Sequence, residues 1–367
     1  MKPTTEIFNA VLNSWARSKE TIAPVRAEEI LNWMDTLYRK GNLDVKPDKY
    51  SYNTVIHAHA KRGSMESAAK AQRILDNMYQ MYRAGNHSAK PDTVTYNICI
   101  NAWAKSGGKG AAIEAENLLS KMHILHEMGE KNVKPSVVTY GAVIDTYAKC
   151  MEPGAASRGD TILADMIQRY QSNPSENADL MPNTHVFNTV INCWSKSKDK
   201  DAAYKAEEIL VAMWRLQETG IPDLKPDTFT YTEFIDAWAK SGNRGSASRA
   251  EELLNRMESK YLAGDLSLKP NTFTYNAVIK SLAKSGESGA AERAERVLQN
   301  MVNRHRTGGA NDVKPTTINF NAVLDAWAKS GGGRAAAERA EKILEWMDSF
   351  HKVGNASIKP DTITFNA

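Results

Sequence analysis

A proline that returns at nearly constant intervals constrains this chain more than any other feature. Pro3, Pro47, Pro91, Pro135, Pro182, Pro226, Pro270, Pro315 and Pro360 are separated by 44, 44, 44, 47, 44, 44, 45 and 45 residues. From each of the first eight to a recurring methionine (Met34, Met78, Met122, Met166, Met213, Met257, Met301, Met347) the distance is 31 residues seven times and 32 once. Such a period marks a repeat array, in which each unit buries its apolar face only against its neighbours. The repeats run 5–48, 49–92, 93–136, 137–183, 184–227, 228–271, 272–316 and 317–361, with the start of a truncated ninth at 362–367.

Place 1 of each repeat is the second residue after its proline. Apolar residues then occupy places 4, 7, 8 and 11: Phe8, Val11, Leu12 and Trp15 in repeat one, Tyr231, Phe234, Ile235 and Trp238 in repeat six. Steps of three and four draw one stripe along an α-helix. The residue after each proline is Asp, Asn, Ser or Thr, a good helix cap, and the proline ring keeps the residue before it out of the helical region. Helix A therefore begins there, and it ends near Lys105-Ser106-Gly107 or Lys240-Ser241-Gly242, at a glycine able to turn left-handed. Helix B carries Ala-Glu-x-x-Leu-x-x-Met, as in Ala250, Glu251, Leu254 and Met257. It continues to Gly41, Gly85, Gly129, Gly220, Gly264, Gly308 and Gly354, each seven residues past the methionine. The fold expected is all-α, a right-handed α-solenoid of stacked antiparallel helix pairs. The Ala-Glu carboxylates read as helix surface charges. The array starts at Met1 and stops at Ala367 without polar capping helices, so the chain reads as a segment of a longer protein.

Composition narrows the function. No apolar run approaches the ~18 residues of a membrane span, and a net charge of 47 − 43 = +4 does not by itself announce a polyanion partner. Cys99, Cys150 and Cys193 lack C-x-x-C spacing, which suggests neither a disulfide framework nor a zinc site and fits a reducing compartment. The eight histidines scatter without metal spacing, and no nucleotide-binding or hydrolase signature appears, so no catalysis, metal or cofactor is expected.

Thr95-Tyr96-Asn97, Thr274-Tyr275-Asn276, Lys46-Pro47-Asp48 and Lys225-Pro226-Asp227 resemble the pentatricopeptide repeat family, whose helix A reads like V-T-Y-N-T-L-I-D-G-L-C-K-A-G and whose repeat closes with K-P-D. The resemblance covers almost the whole chain. The repeat is longer than the family's usual unit of about 35 residues, with three extra residues before Ala-Glu and six after the methionine. Both extensions are expected away from helix A. The resemblance implies sequence-specific binding of single-stranded RNA in mitochondria or chloroplasts, serving RNA processing, stabilisation or translation. It implies RNA-processing proteins as further partners and a monomeric chain.

Places 2, 5, 9 and 13 of helix A share a face distinct from the apolar stripe. Place 5 is Asn9, Asn53, Asn97, Gly141, Asn188, Thr232, Asn276 and Asn321, six asparagines in eight. Asparagine forgoes up to about 0.7 kcal/mol of helix propensity relative to alanine, so it needs a use: a ladder of hydrogen bonds between repeats, or an amide that meets a base edge. Asparagines set between neighbouring hairpins, or lysines scattered over the convex side, would argue against base reading on this face. Place 13 is Arg17, Lys61, Lys105, Lys149, Lys196, Lys240, Lys284 and Lys329. One such cation is ordinary at a helix C-terminus, whereas eight in register make a track suited to phosphates. Place 2 holds Glu6, which does not fit, then Tyr50, Val94, Val138, His185, Phe229, Phe273 and Ile318, able either to sandwich bases or to pack between repeats.

The residues after proline, Asp48, Asp92, Ser136, Asn183, Asp227, Asn271, Thr316 and Asp361, are explained by capping alone. In the family, this last residue and place 5 of the same repeat select one base. A carboxylate accepts the uracil N3–H, whereas Ser, Thr or Asn can donate to cytosine N3 or adenine N1. Carried over, Asn9 with Asp48 and Asn53 with Asp92 imply U, U, and Asn97 with Ser136 implies C. Gly141 with Asn183 is unassigned. Asn188 with Asp227 implies U, Thr232 with Asn271 A, Asn276 with Thr316 C and Asn321 with Asp361 U. With the family's orientation the site is 5′-UUCNUACU-3′. Repeat four is irregular, with Pro153 between its helices, Met181 for lysine and Asn173 for glycine, and a register break is expected there. The rival is a peptide- or protein-binding solenoid, which predicts an irregular groove.

Overall fold

Each helix A starts where a side chain closes its first turn. Asp48, Asp92, Asp227 and Asn271 accept the backbone N–H three residues on, and the side chain there returns to the cap's own N–H, forming capping boxes with Ser51, Thr95, Thr230 and Thr274. Helix A stops at Gly107, Gly242 and Gly286, all left-handed, where a side chain at positive φ would be strained.

The structure is a computed structural model describing residues 3–221, 224–307, 313–352, 357–362 and 364. Two compact units, Met1–Cys193 and Trp194–Ala367, are described separately. The first holds the helix pairs α1 (Thr5–Arg17) with α2 (Ala23–Arg39), α3 (Lys49–Ala60) with α4 (Met65–Arg83), α5 (Thr93–Ser106) with α6 (Ala111–Glu127) and α7 (Val137–Cys150) with α8 (Ala155–Ser172). The unit boundary falls inside α9 (Thr184–Lys196). The second holds α10 (Ala202–Glu218), α11 (Thr228–Ser241) with α12 (Ser246–Leu262), α13 (Thr272–Ser285) with α14 (Ala290–Thr307) and α15 (Thr317–Lys329) with α16 (Gly333–Lys352). Among the described residues there is no strand. Within each unit, helix A packs on its own helix B and on the next helix A, as in a stacked-hairpin solenoid.

The expected stripe is the core. Place 4 (Phe8, Tyr52, Tyr96, Tyr140, Phe187, Tyr231, Tyr275, Phe320) and all eight recurring methionines are buried. Each such side chain contributes roughly 1.5–3 kcal/mol on leaving water. Repeat one departs from the pattern: α1 packs on α2, on α3 and on the 3-10 turn Leu43–Val45, while Val11 stays exposed and Trp15 half-buried.

Two expectations need correction. The residues added after the methionine do not all lie away from helix A. Helix B stops at left-handed Gly41, Gly85, Gly129, Gly220 and Gly264, while Gly308 and Gly354 lie outside the described residues, as do Met1, Ala367 and much of the truncated ninth repeat. A 3-10 turn follows (Leu43–Val45, His87–Ala89, Lys131–Val133, Ala178–Leu180, Leu266–Leu268), and its last residue plugs the core. The place 1 threonine ties this linker to helix A: Thr5 Oγ1 donates to Lys46 O at 2.8 Å, Thr93 to Lys134 O at 2.8 Å and Thr228 to Lys269 O at 2.9 Å.

The Ala-Glu carboxylates are not plain surface charges either. Glu116, Glu207, Glu251 and Glu295 meet Arg158, Arg249, Arg293 and Arg339 of the next helix B, and Glu251 and Glu295 are only 15% and 14% exposed. Glu295 also accepts Trp327 Nε1 at 3.0 Å, and Gln72, which replaces Glu in repeat two, accepts Trp103 Nε1 at 2.6 Å. This row clamps consecutive repeats through charge-assisted bonds.

Candidate nucleic-acid interface

Place 2 is exposed throughout. Tyr50, Val94, Val138, Phe229, Phe273 and Ile318 are 47–75% accessible, and His185 and Glu6 are exposed too. Burial in an inter-repeat seam therefore does not account for them. A flat or branched apolar group at the same place of six of the eight repeats, held in water on a helix face, is suited to stacking.

Place 13 is exposed in every repeat. The cations differ in their neighbours. Lys149, Lys240 and Lys329 pair with Asp145, Asp236 and Asp325 at place 9 of their own helices. Exposed pairs at this spacing are worth about 0.3–0.5 kcal/mol, so a phosphate can displace the carboxylate. Repeats one to three have Asn13, His57 and Asn101 at place 9 instead. Burial, then the cations of Lys61 and Lys105, hold the His57 imidazole below its ordinary pKa, which puts cations of neighbouring repeats around one groove residue. Place 9 was legible as part of this face; that it holds a carboxylate in repeats four, six and eight and none in the others is what the count of lysines missed.

Place 5 makes the ladder. Asn9 Nδ2 donates to Asp48 Oδ1 at 3.3 Å, and Ser51 Oγ donates to Asn9 Oδ1 at 2.6 Å. Asn321 repeats this, donating to Asp361 Oδ1 at 3.0 Å and accepting Thr364 Oγ1 at 2.7 Å. Thr232 meets Thr274 at 2.9 Å, and Asn276 accepts Asn319 Nδ2. The amides thus bridge neighbouring hairpins, through a place 3 residue that sequence reading had not weighed. Its signal is present: Ser51, Thr95, Thr139, Thr230, Thr274, Asn319 and Thr364 are all small and polar. The Oδ1 atoms of Asn53 and Asn97 are covered and have no hydrogen-bond partner.

The cap residues divide their oxygens. In Asp48, Asp92, Asp227 and Asp361, Oδ1 serves the cap, accepting the N–H of Ser51, Thr95, Thr230 and Thr364. Ser136 and Thr316 close their boxes as hydroxyl caps, and Asn183 accepts Val186 N at 3.0 Å. Gly141 is buried, and a Cβ there would stand 3.4 Å from Val186 Cγ2. Repeat four has no side chain with which to join the ladder. Asn188, in the first unit, is buried, whereas Asp227 is half-buried in the second.

Two models of one family match this face and its supporting helices. The pentatricopeptide repeat domain model matches residues 87–150 and 216–285, and the single-repeat model matches 50–71 and 273–304. Residues 50–71, 87–150 and 216–304 are pentatricopeptide repeats. No curated protein matches the chain. Among solved structures it is similar to the pentatricopeptide repeat protein PPR10 from maize, at 20% identity and a TM-score of 0.46, over 99% of this chain and 50% of that one. It is also similar to PPR10 in complex with an 18-nt psaJ RNA element, at 18% identity and a TM-score of 0.30, over 100% of this chain and 61% of that one. The chain thus spans about half the length of the first of these. Among the described residues no cluster of His, Cys, Asp or Glu is set to hold a metal ion, and no helix is long and apolar enough to cross a membrane.

Proposed function

We propose that this chain binds single-stranded RNA by sequence, one base per repeat, at a site written 5′-UUCNUACU-3′. One observation carries the reading: an exposed apolar group at place 2 recurs in register with an exposed cation at place 13 on the same helix face. A strand of stacked bases and evenly spaced phosphates has that period, and a folded protein partner does not.

Base choice falls to the pairs at place 5 and the cap. The ladder leaves them capacity to read. Asn9 spends one N–H on Asp48 and one lone pair on Ser51, keeping a second of each, and the Asp48 carboxylate keeps lone pairs beyond those the cap uses. The bonds between repeats then serve to aim the amide and the carboxylate at one base. The family points to organellar RNA processing, stabilisation or translation as the setting, with RNA-processing proteins as partners.

Fluorescence anisotropy with the octamer, its complement and duplex DNA, across salt, tests the reading. Preference for the octamer is expected, with a log–log salt slope of about −0.7 per neutralised phosphate. Equal affinity for all three ligands overturns it, and binding of none of them favours a protein-binding solenoid. Asp48→Ser keeps a helix cap and is expected to move the first nucleotide from U toward C; an unchanged preference reduces Asp48 to a cap.

A further inference from the structure

Repeats one and two carry the same candidate reading pair, Asn9 with Asp48 and Asn53 with Asp92, and differ in what stands beside it. Place 1 is threonine in six repeats, Val137 in repeat four and Lys49 in repeat two. In repeat one the Thr5 hydroxyl is turned to the linker carbonyls of Asp44 and Lys46, at 3.3 and 2.8 Å, and stays away from Asp48. Lys49 makes no such tie. Its Nζ lies 2.6 Å from Asp92 Oδ2, with the two side chains 51% and 21% exposed. Asp92 Oδ1 is already committed to the cap by Thr95 N at 3.0 Å and Thr95 Oγ1 at 3.1 Å. Burial raises the Asp92 carboxyl, but the bonds from Lys49 and Thr95 outweigh it and hold the group below the usual carboxylate range, so it is charged at neutral pH. Lys49 and Asp92 line one open cavity with Val94 of place 2 and with His87 and Ser88 of the 3-10 turn.

We propose that Lys49 is a specificity-determining residue that lets repeat two accept cytosine as well as uracil. The inference rests on the base-per-repeat reading above. A carboxylate alone accepts the uracil N3–H, but it repels the N3 lone pair that cytosine presents in the same place. With an ammonium against it, the carboxylate becomes an acceptor beside a donor. Lys49 spends one of its three N–H bonds on Asp92 and keeps two. For cytosine, Asp92 Oδ2 accepts N4–H while Lys49 donates to N3. For uracil, the base shifts one place along its edge, so that Oδ2 accepts N3–H while Lys49 donates to O2. Both pyrimidines then gain two bonds, and the penalty that separated them is gone.

The test is internal to the molecule. Octamers with U or C at nucleotide one, and U or C at nucleotide two, are titrated against the parent chain, Lys49→Thr and Lys49→Arg. The parent should prefer U about tenfold at nucleotide one and less than about threefold at nucleotide two. Lys49→Thr should raise the ratio at nucleotide two to about tenfold and leave nucleotide one alone, while Lys49→Arg, which keeps a donor, should stay near the parent. Equal melting temperatures of parent and variants exclude a folding effect. A tenfold ratio at both nucleotides in the parent, or a ratio at nucleotide two that Lys49→Thr does not move, overturns the inference and leaves the base-per-repeat reading standing. No preference at nucleotide one overturns that reading, and this inference with it.

Discussion

Repeats one and four, both in the first unit, join the next hairpin by opposite means. From repeat one, Asn9 reaches across to Asp48 and Ser51 in a polar seam beside the groove. From repeat four, Gly141 lies under Val186 and the seam is apolar. Thr232 with Thr274, Asn276 with Asn319 and Asn321 with Thr364 also pair polar with polar, whereas the Oδ1 atoms of Asn53 and Asn97 have no hydrogen-bond partner. In the seams that are bonded, place 5 of one repeat and place 3 of the next work as a unit. The residue expected to read a base is also part of the joint that sets the distance to the next base, so its identity answers to the neighbouring hairpin as well as to RNA.

The cations sharpen the contrast most. Arg17, Lys61 and Lys105 have no carboxylate at place 9 of their own helices, whereas Lys149 is held 2.5 Å from Asp145. Replacing the first three by alanine together should lower RNA affinity by about a hundredfold at moderate salt and reduce the salt slope by about 2. Lys149→Ala should cost about twofold, below the roughly fivefold per cation of that triple, because breaking the Asp145 pair offsets part of what Lys149 gains from a phosphate. Anisotropy titrations at three salt concentrations decide it; equal losses for all four cations would remove the distinction between the two regions.

Much of this was legible, and the rest was hidden for a physical reason. Helix starts, glycine stops, the place 4 and methionine core and the exposed face follow from periodicity within about a dozen residues, which is the range over which a helix imposes its spacing. The Glu251–Arg293 clamp, the Asn9–Ser51 bond and the 3-10 turn that Thr5 holds all join residues 39 to 42 positions apart. Nothing local distinguishes Glu251 from a solvated helix charge. Only the array's own period does, since a residue spaced one repeat away sits on the adjoining hairpin. Comparing place 5 with place 3 of the next repeat exposes the Gly141–Val186 exchange in the sequence itself.

Restoring the polar seam to repeat four should fail by halves and succeed when completed. Gly141→Asn alone crowds Val186 and buries an amide without a partner, an expected loss of about 1–3 kcal/mol in urea unfolding. Adding Val186→Thr supplies the hydroxyl that Thr364 gives Asn321, and most of that loss should return as a coupling between the two sites. A double variant no more stable than Gly141→Asn would show that place 3 is not the partner that matters.

Acid should separate the two regions further. His123 Nε2 lies 3.0 Å from Tyr140 Oη, which donates to Asp165 Oδ2 at 2.7 Å, joining repeats three and four. Burial first, then Arg169, hold the imidazole below its ordinary 6.5, against an opposing pull from Asp165 and Glu127. The unfolded chain thus binds this proton more tightly, so the stability His123 provides is whole above about 6.5 and is lost as pH falls through the folded value. Between repeats one and two the sign reverses. Burial raises the Asp35 carboxyl above its ordinary 3.8 despite hydrogen bonds from Tyr52 and Asn77, so protonation favours the folded form there. Hydrogen exchange at pH 7 and pH 5.5 should show opening of α7 rising relative to α2, which carries Asp35, on acidification, and His123→Gln should abolish the difference.

The smallest effect expected is at Asp145. If its carboxylate only detains Lys149, then Asp145→Asn, which installs at place 9 the kind of amide found as Asn13 and Asn101, should tighten RNA binding two- to threefold at low salt and not at all above about 0.3 M, where the pair is screened. The variant turns repeat four into a repeat one at this place alone and leaves Gly141 as it is. A gain that survives high salt would mean that the amide itself touches the ligand, and place 9 would then join places 2, 5 and 13 as part of the reading face.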